Sequence, residues 1–194
     1  MHLLPRLCVG DGRSVSELWG RAGGTSTPSG RIAVRYADGP TAEVEVYVDA
    51  PPSRVWELVS DIELPARFSE EFQGAEWLDE GPTAGARFRG RNQHPAVGEW
   101  ETTSFVVGYE PEQTFAWAVG DADRPGASWR FELTPEGSGT RLKQWMRMGP
   151  ARSGLNAAID AMPDKEERII ARRLEEHRRN MTATVQGIKA LAES

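Results

Sequence analysis

Two side chains stand out for acid–base chemistry, His94 and His177, because imidazole changes charge near neutral pH. A third histidine, His2, lies in the first stretch of the chain, away from both. An imidazole set in an apolar pocket can take or give a proton at a carbonyl compound. Other chemistries find little support. There is no Gly-x-Ser-x-Gly nucleophile turn and no glycine-rich phosphate loop, and the single cysteine, Cys8, stands near the start of the chain. Two histidines joined by Asn92 or Gln144 would make a poor zinc site, so neither metal nor cofactor is expected.

The elements that must position these groups can be read from alternation. In the run 86–94 one face carries Arg87, Arg89, Arg91 and Gln93, and the other Phe88, Gly90, Asn92 and His94. A tight turn near Ala96 sets Arg91 opposite Glu101 and Asn92 opposite Trp100. The charged residues then share the wet face, which avoids burying them unpaired. Phe88, Asn92, His94 and Trp100 are thus expected to face inward. Continuing the phase puts Ser104 inside and Phe105 and Val107 outside, a conflict that a bulge near there would resolve. Further along, Phe115, Trp117 and Val119 share one face, as do Trp129, Phe131 and Leu133. In the last run Leu142, Gln144, Met146 and Met148 point in.

Around these runs the order is one strand (Val44, Val46 and Val48), two short helices, about six strands, and a long helix. Pro51 and Pro52 suit the first turn of a helix with Val55, Trp56, Leu58 and Val59 on its apolar side. The stretch from Pro163 to about Ala192 carries Ile170, Leu174, Met181, Val185, Ile188 and Leu191 at spacings of three and four, with His177 on the same stripe. Arg172, Arg173, Glu176, Arg179 and Lys189 are assigned to its outer face. An antiparallel sheet with one wet and one helix-covered face is an α+β solution. Residues 1–30, with Gly23-Gly24-Thr25-Ser26-Thr27-Pro28-Ser29-Gly30, read as a mobile extension ahead of a domain spanning 31–194.

Composition narrows the partners. The chain has 194 residues, 39% hydrophobic and 27% charged, which is the balance of a soluble globular domain. A net charge of -6 argues against a nucleic-acid partner and against simple attraction to anionic lipid. One cysteine excludes an internal disulfide and suits the cytoplasm. No apolar run approaches the roughly 20 residues that span a bilayer, so no integral membrane association is expected.

The stretch Val44-Glu45-Val46-Tyr47-Val48-Asp49-Ala50-Pro51-Pro52-Ser53-Arg54-Val55-Trp56-Glu57-Leu58-Val59-Ser60-Asp61, followed by Leu64-Pro65-Ala66-Arg67-Phe68, resembles the opening of the START/polyketide-cyclase superfamily. Gly137-Ser138-Gly139-Thr140-Arg141-Leu142 resembles its last hairpin. The resemblance covers roughly residues 43–192. It implies a helix-grip fold: a curved antiparallel sheet of about seven strands around the C-terminal helix, with a cavity between them. The cavity-lining expectation is Phe88, Asn92, Trp100, Trp117, Trp129, Phe131, Gln144, Met146, Leu174 and Met181, with His94 and His177 as acid–base candidates. The leading functional expectation is binding of a largely apolar or aromatic small molecule, lipid or polyketide-like. A polyketide cyclase or dehydrase and a protein-interaction module are the alternatives. The cyclase branch often uses an inward arginine. Arg87, Arg89, Arg91, Arg130, Arg141 and Arg147 all read as outward, leaving Arg67 as the one to examine.

Overall fold

The computed structural model describes residues 34–194. The expected extension over residues 1–30 lies outside them. Seven strands form one antiparallel sheet: β1 (Thr41–Val48), β2 (Phe72–Trp77), β3 (Arg87–His94), β4 (Gly98–Glu110), β5 (Thr114–Val119), β6 (Ala127–Glu136) and β7 (Gly139–Met148). Their spatial order is β1-β7-β6-β5-β4-β3-β2. Strands β2 to β7 therefore form a meander, and β1 closes onto the last of them. Helix α1 (Pro52–Val59) and a 3-10 turn (Leu64–Arg67) follow β1, and α2 (Leu155–Ala161) and α3 (Glu166–Ala192) follow β7. This is the α+β helix-grip arrangement expected from the sequence.

Each element has a local cause. Pro52 opens α1 at a position where a missing N–H is harmless. The corner before it is fixed by Thr140, which is fully buried and donates its hydroxyl to the Ala50 carbonyl at 2.8 Å. The long helix does not begin at Pro163. Residues Pro163–Lys165 make a separate 3-10 turn, and α3 starts at Glu166, whose carboxylate accepts the Tyr36 N–H at 2.9 Å. Ile170, Met181, Val185 and Ile188 on its inner stripe are at most 1% exposed. Among the described residues, no helix is long and apolar enough to cross a membrane.

The β3–β4 register is the one read from the sequence: Arg91 faces Glu101 and Asn92 faces Trp100. The ion pairs are made two residues away along β3, however. Arg89 lies 3.3 Å from Glu76 and 3.8 Å from Glu101, while the Arg91 guanidinium turns toward Gly74. The phase conflict in β4 resolves later than expected. Ser104 and Val106 are both buried inside, so Phe105 does sit on the outer face, between Arg87 and Ala118. The register slips only between Val106 and Gly108, and this brings Tyr109 inward opposite Phe115. There Tyr109 meets Trp56 edge-on, with ring centroids 5.2 Å apart.

Candidate functional site

The inner face of the sheet carries a band of aromatic rings that crosses it from β2 to α3. Trp77 touches Phe88 at 5.6 Å between centroids, Phe88 touches Trp117 at 6.2 Å, and Trp117 stacks on Trp129 at 6.1 Å with planes 7° apart. Trp129 then meets His177 of α3 edge-on at 5.3 Å. Phe131 joins from the side, 5.9 Å from Trp117. Period-two alternation places these rings on one face, and antiparallel pairing brings Trp117 directly opposite Trp129. Phe88, Phe131, Gln144, Met146, Leu174 and Met181 are buried, whereas Trp117, Trp129 and His177 keep part of their surface accessible.

The expected residues divide into three groups. Trp117, Trp129, Phe131, Phe88 and His177 come together in the band. Gln144 lies beside Phe131 in the strand register, and Met146 lies beside Trp129. Met146, Leu174 and Met181 also belong to a neighbouring core cluster with Tyr36, Ile159 and Ile170, where packing alone accounts for them. Asn92 and Trp100 form a register pair farther along β3 and β4, flanked by Phe72. Gly90 makes the space beside them tight: a Cβ there would stand 3.2 Å from the Phe72 ring and 3.3 Å from the Thr102 hydroxyl.

His94 turns toward α3 but stands outside the aromatic band. It ends β3 at the hairpin, accepts the Ala96 N–H at Nδ1 (3.1 Å) and turns Nε2 toward Glu176, 3.5 Å away. With Nδ1 accepting, a neutral imidazole carries its proton on Nε2, where it faces the carboxylate. The two histidines thus serve different neighbours, His94 a charge and His177 an aromatic face. A polar groove of about 250 Å³ runs beside His94, Glu70, Gln93, Arg172 and Asn180, outside the band.

Two assignments on the long helix are corrected by the structure. Arg173 and Glu176, expected on its wet face, are turned into a charge network. The Arg173 guanidinium forks onto Glu71 with two bonds of 2.6 Å, and its Nη1 also reaches Glu176 at 3.3 Å. The three side chains are 19%, 13% and 14% exposed. Burial works against the charge on Arg173, but Glu71 and Glu176 outweigh it and hold the guanidinium firmly protonated. Burial likewise works against the Glu176 carboxylate, and the bonds from Arg172 and Arg173 prevail and keep its pKa below the usual range. The missed signal was the spacing 173–177: residues four apart share a helix face, so Arg173 had to stand beside the inward His177. Arg67, the arginine singled out from the sequence, is exposed and lies over the Phe68 ring at 5.7 Å.

The pKa of His177 is pushed down from 6.5 to about 3, first by burial and then by the positive charge of Arg173. The folded value lies below the unfolded one, so the stabilising effect of the neutral ring is complete above the unfolded pKa and is lost as pH falls through the interval. Between pH 6.5 and 5 the unfolded chain gains a proton here that the folded protein refuses. Stability is therefore expected to fall by up to about 1.4 kcal/mol per pH unit from this group. Urea midpoints at pH 7 and pH 5 for the wild type and His177→Leu check this. The variant should show the shallower loss, and equal losses would refute the assignment.

A curved antiparallel sheet gripping one long helix, with an aromatic band between them, is the helix-grip class of fold. Residues 40–190 match the family described as polyketide cyclase / dehydrase and lipid transport, and the chain belongs to it. A polyketide-cyclase-like protein from Corynebacterium glutamicum is similar at 32% identity, over 78% of this chain and 88% of that one, with a TM-score of 0.53. The Zhui aromatase/cyclase from a Streptomyces species shares the fold at 19% identity, over 79% of this chain and 93% of that one, with a TM-score of 0.58. The di-domain aromatase/cyclase StfQ of the steffimycin pathway shares it at 15% identity, over 79% of this chain and 50% of that one, with a TM-score of 0.61. No curated protein matches the sequence.

Proposed function

We propose that this chain binds a flat, largely apolar ring compound between the sheet and α3, seated against Trp117 and Trp129, and releases it unchanged. The observation that carries this reading is the stacked pair itself: two indoles with planes 7° apart, on the inner face, still partly accessible. Indoles in a finished core are expected to be sealed by their neighbours, whereas a binding wall leaves apolar surface for a ligand to cover. Asn92, Trp100 and His94 would lie toward the outer end of the same face. Family membership supports the choice of a lipid or polyketide-like metabolite as the ligand class. The net charge of -6 supports a partner other than nucleic acid, and the lone Cys8 suits a cytoplasmic setting.

The catalytic alternative has weaker chemistry. With a pKa of about 3, His177 is neutral at pH 7 but a feeble base, far from the matched value that proton transfer favours. His94 is turned toward Glu176, and the Arg173 nitrogens are taken by carboxylates.

Native mass spectrometry of freshly purified protein tests the binding reading. A non-covalent adduct that vanishes on denaturation is expected, and His177→Leu should reduce its occupancy while the fold persists. An adduct-free spectrum, together with tryptophan emission that no aromatic probe alters, would sink it.

A further inference from the structure

One polar side chain buried in the inner layer has an oxygen with no hydrogen-bond partner among the described residues. Gln144 is 5% exposed, in the centre of β7, between Val44 of β1 and Phe131 of β6. Its Oε1 is buried and, among the described residues, no group donates to it. The residues two along on either side, Leu142 and Met146, are fully buried and apolar. A buried amide oxygen left unpaired is costly, and a methionine or leucine would fill this place without that cost. By contrast, the buried hydroxyls of Thr140 and Thr184 both donate to backbone carbonyls, at 2.8 and 2.9 Å.

We infer that Gln144 is a specificity residue that accepts a hydrogen bond from a hydroxyl or N–H on the edge of the bound ring compound. This rests on the binding reading above. The register supports it, since Gln144 is the direct neighbour of Phe131 and stands one step diagonally from Trp129, so a ring lying on the tryptophans brings its edge toward the amide. The unpartnered atom being the oxygen sets the sign of the selection. With apolar neighbours on both sides, Oε1 gains from a donor and repels a ligand atom that can only accept. The pocket should therefore separate two ligands of the same skeleton by one proton.

The test uses 2-naphthol and 2-methoxynaphthalene, titrated into the full chain with tryptophan emission as the readout. The wild type is expected to bind 2-naphthol about five- to tenfold more tightly, the span of one hydrogen bond made in a buried site. Gln144→Met, close in volume, should bring that ratio to about one and raise the melting temperature. Gln144→Leu provides a second variant should the first fold poorly. A ratio near one in the wild type, a preference for 2-methoxynaphthalene, or a ratio unchanged in both variants would overturn the inference while leaving the binding reading intact. If neither probe binds the wild type, the binding reading falls and takes this inference with it.

Discussion

Replacing Arg173 with methionine is expected to cost about 2–4 kcal/mol of folding stability, because it leaves two largely covered carboxylates at the edge of the polar groove without their main partner. Glu71 loses both of its 2.6 Å bonds, and Glu176 loses one of its partners. Glu176 keeps Arg172 at 3.1 Å and His94 at 3.5 Å, so most of the cost falls on Glu71. The mechanism predicts its own rescue. Adding Glu71→Leu to Arg173→Met removes the stranded charge and should recover much of the loss, since apolar groups can replace a buried ion pair at little cost. Urea unfolding of the two variants measures both steps. A single-variant loss below about 1 kcal/mol would mean that the network behaves as an ordinary solvent-screened surface cluster.

Phe131→Ala should be comparably damaging, at about 3–5 kcal/mol, the usual range for deleting a buried phenyl ring. The residue is 1% exposed and touches Trp117. Its removal also takes away a ring packed on Trp117, so that indole should become more exposed to water. Unfolding free energy gives the first effect, and a red shift of tryptophan emission gives the second. A loss under 2 kcal/mol without a spectral shift would show that the inner layer repacks freely and that the aromatic band is not a rigid wall.

Much of this arrangement was legible in the sequence. Alternation in 86–102 gave the faces and register of β3 and β4, because one charged face and one apolar face leave a single consistent pairing. The Ala50-Pro51-Pro52 corner and the stripe from Ile170 to Ile188 gave the two helical elements. Three features were hidden for physical reasons. Arg173 and Glu176 read as solvated because a helical wheel does not show that Glu71, about a hundred residues earlier, arrives beside them at the start of β2. Alternation within β4 signalled a bulge, but its position at Val107 depends on how β4 meets β5, which no local pattern in β4 contains. The orientation of His94 is set by its own hairpin turn: capture of the Ala96 N–H turns the ring toward α3, whereas alternation fixes only the side of the strand.

The pairing of β1 with β7 also has a consequence for how the protein is made. Among the described residues, 41–48 find their only strand partners at 140–147, and α3, which packs on β1, comes later still. On the ribosome, the meander from β2 onward can assemble as it emerges, while β1 and α1 wait with an open edge for roughly half a dozen seconds or more at ordinary synthesis rates. Contacts this distant along the chain also slow the final closure. Nascent chains halted before Gly139 should thus be the species most prone to aggregate or to engage chaperones. Synthesis of residues 139–194, which hold β7 and α3, is expected to be the step that converts a sticky intermediate into a protected one.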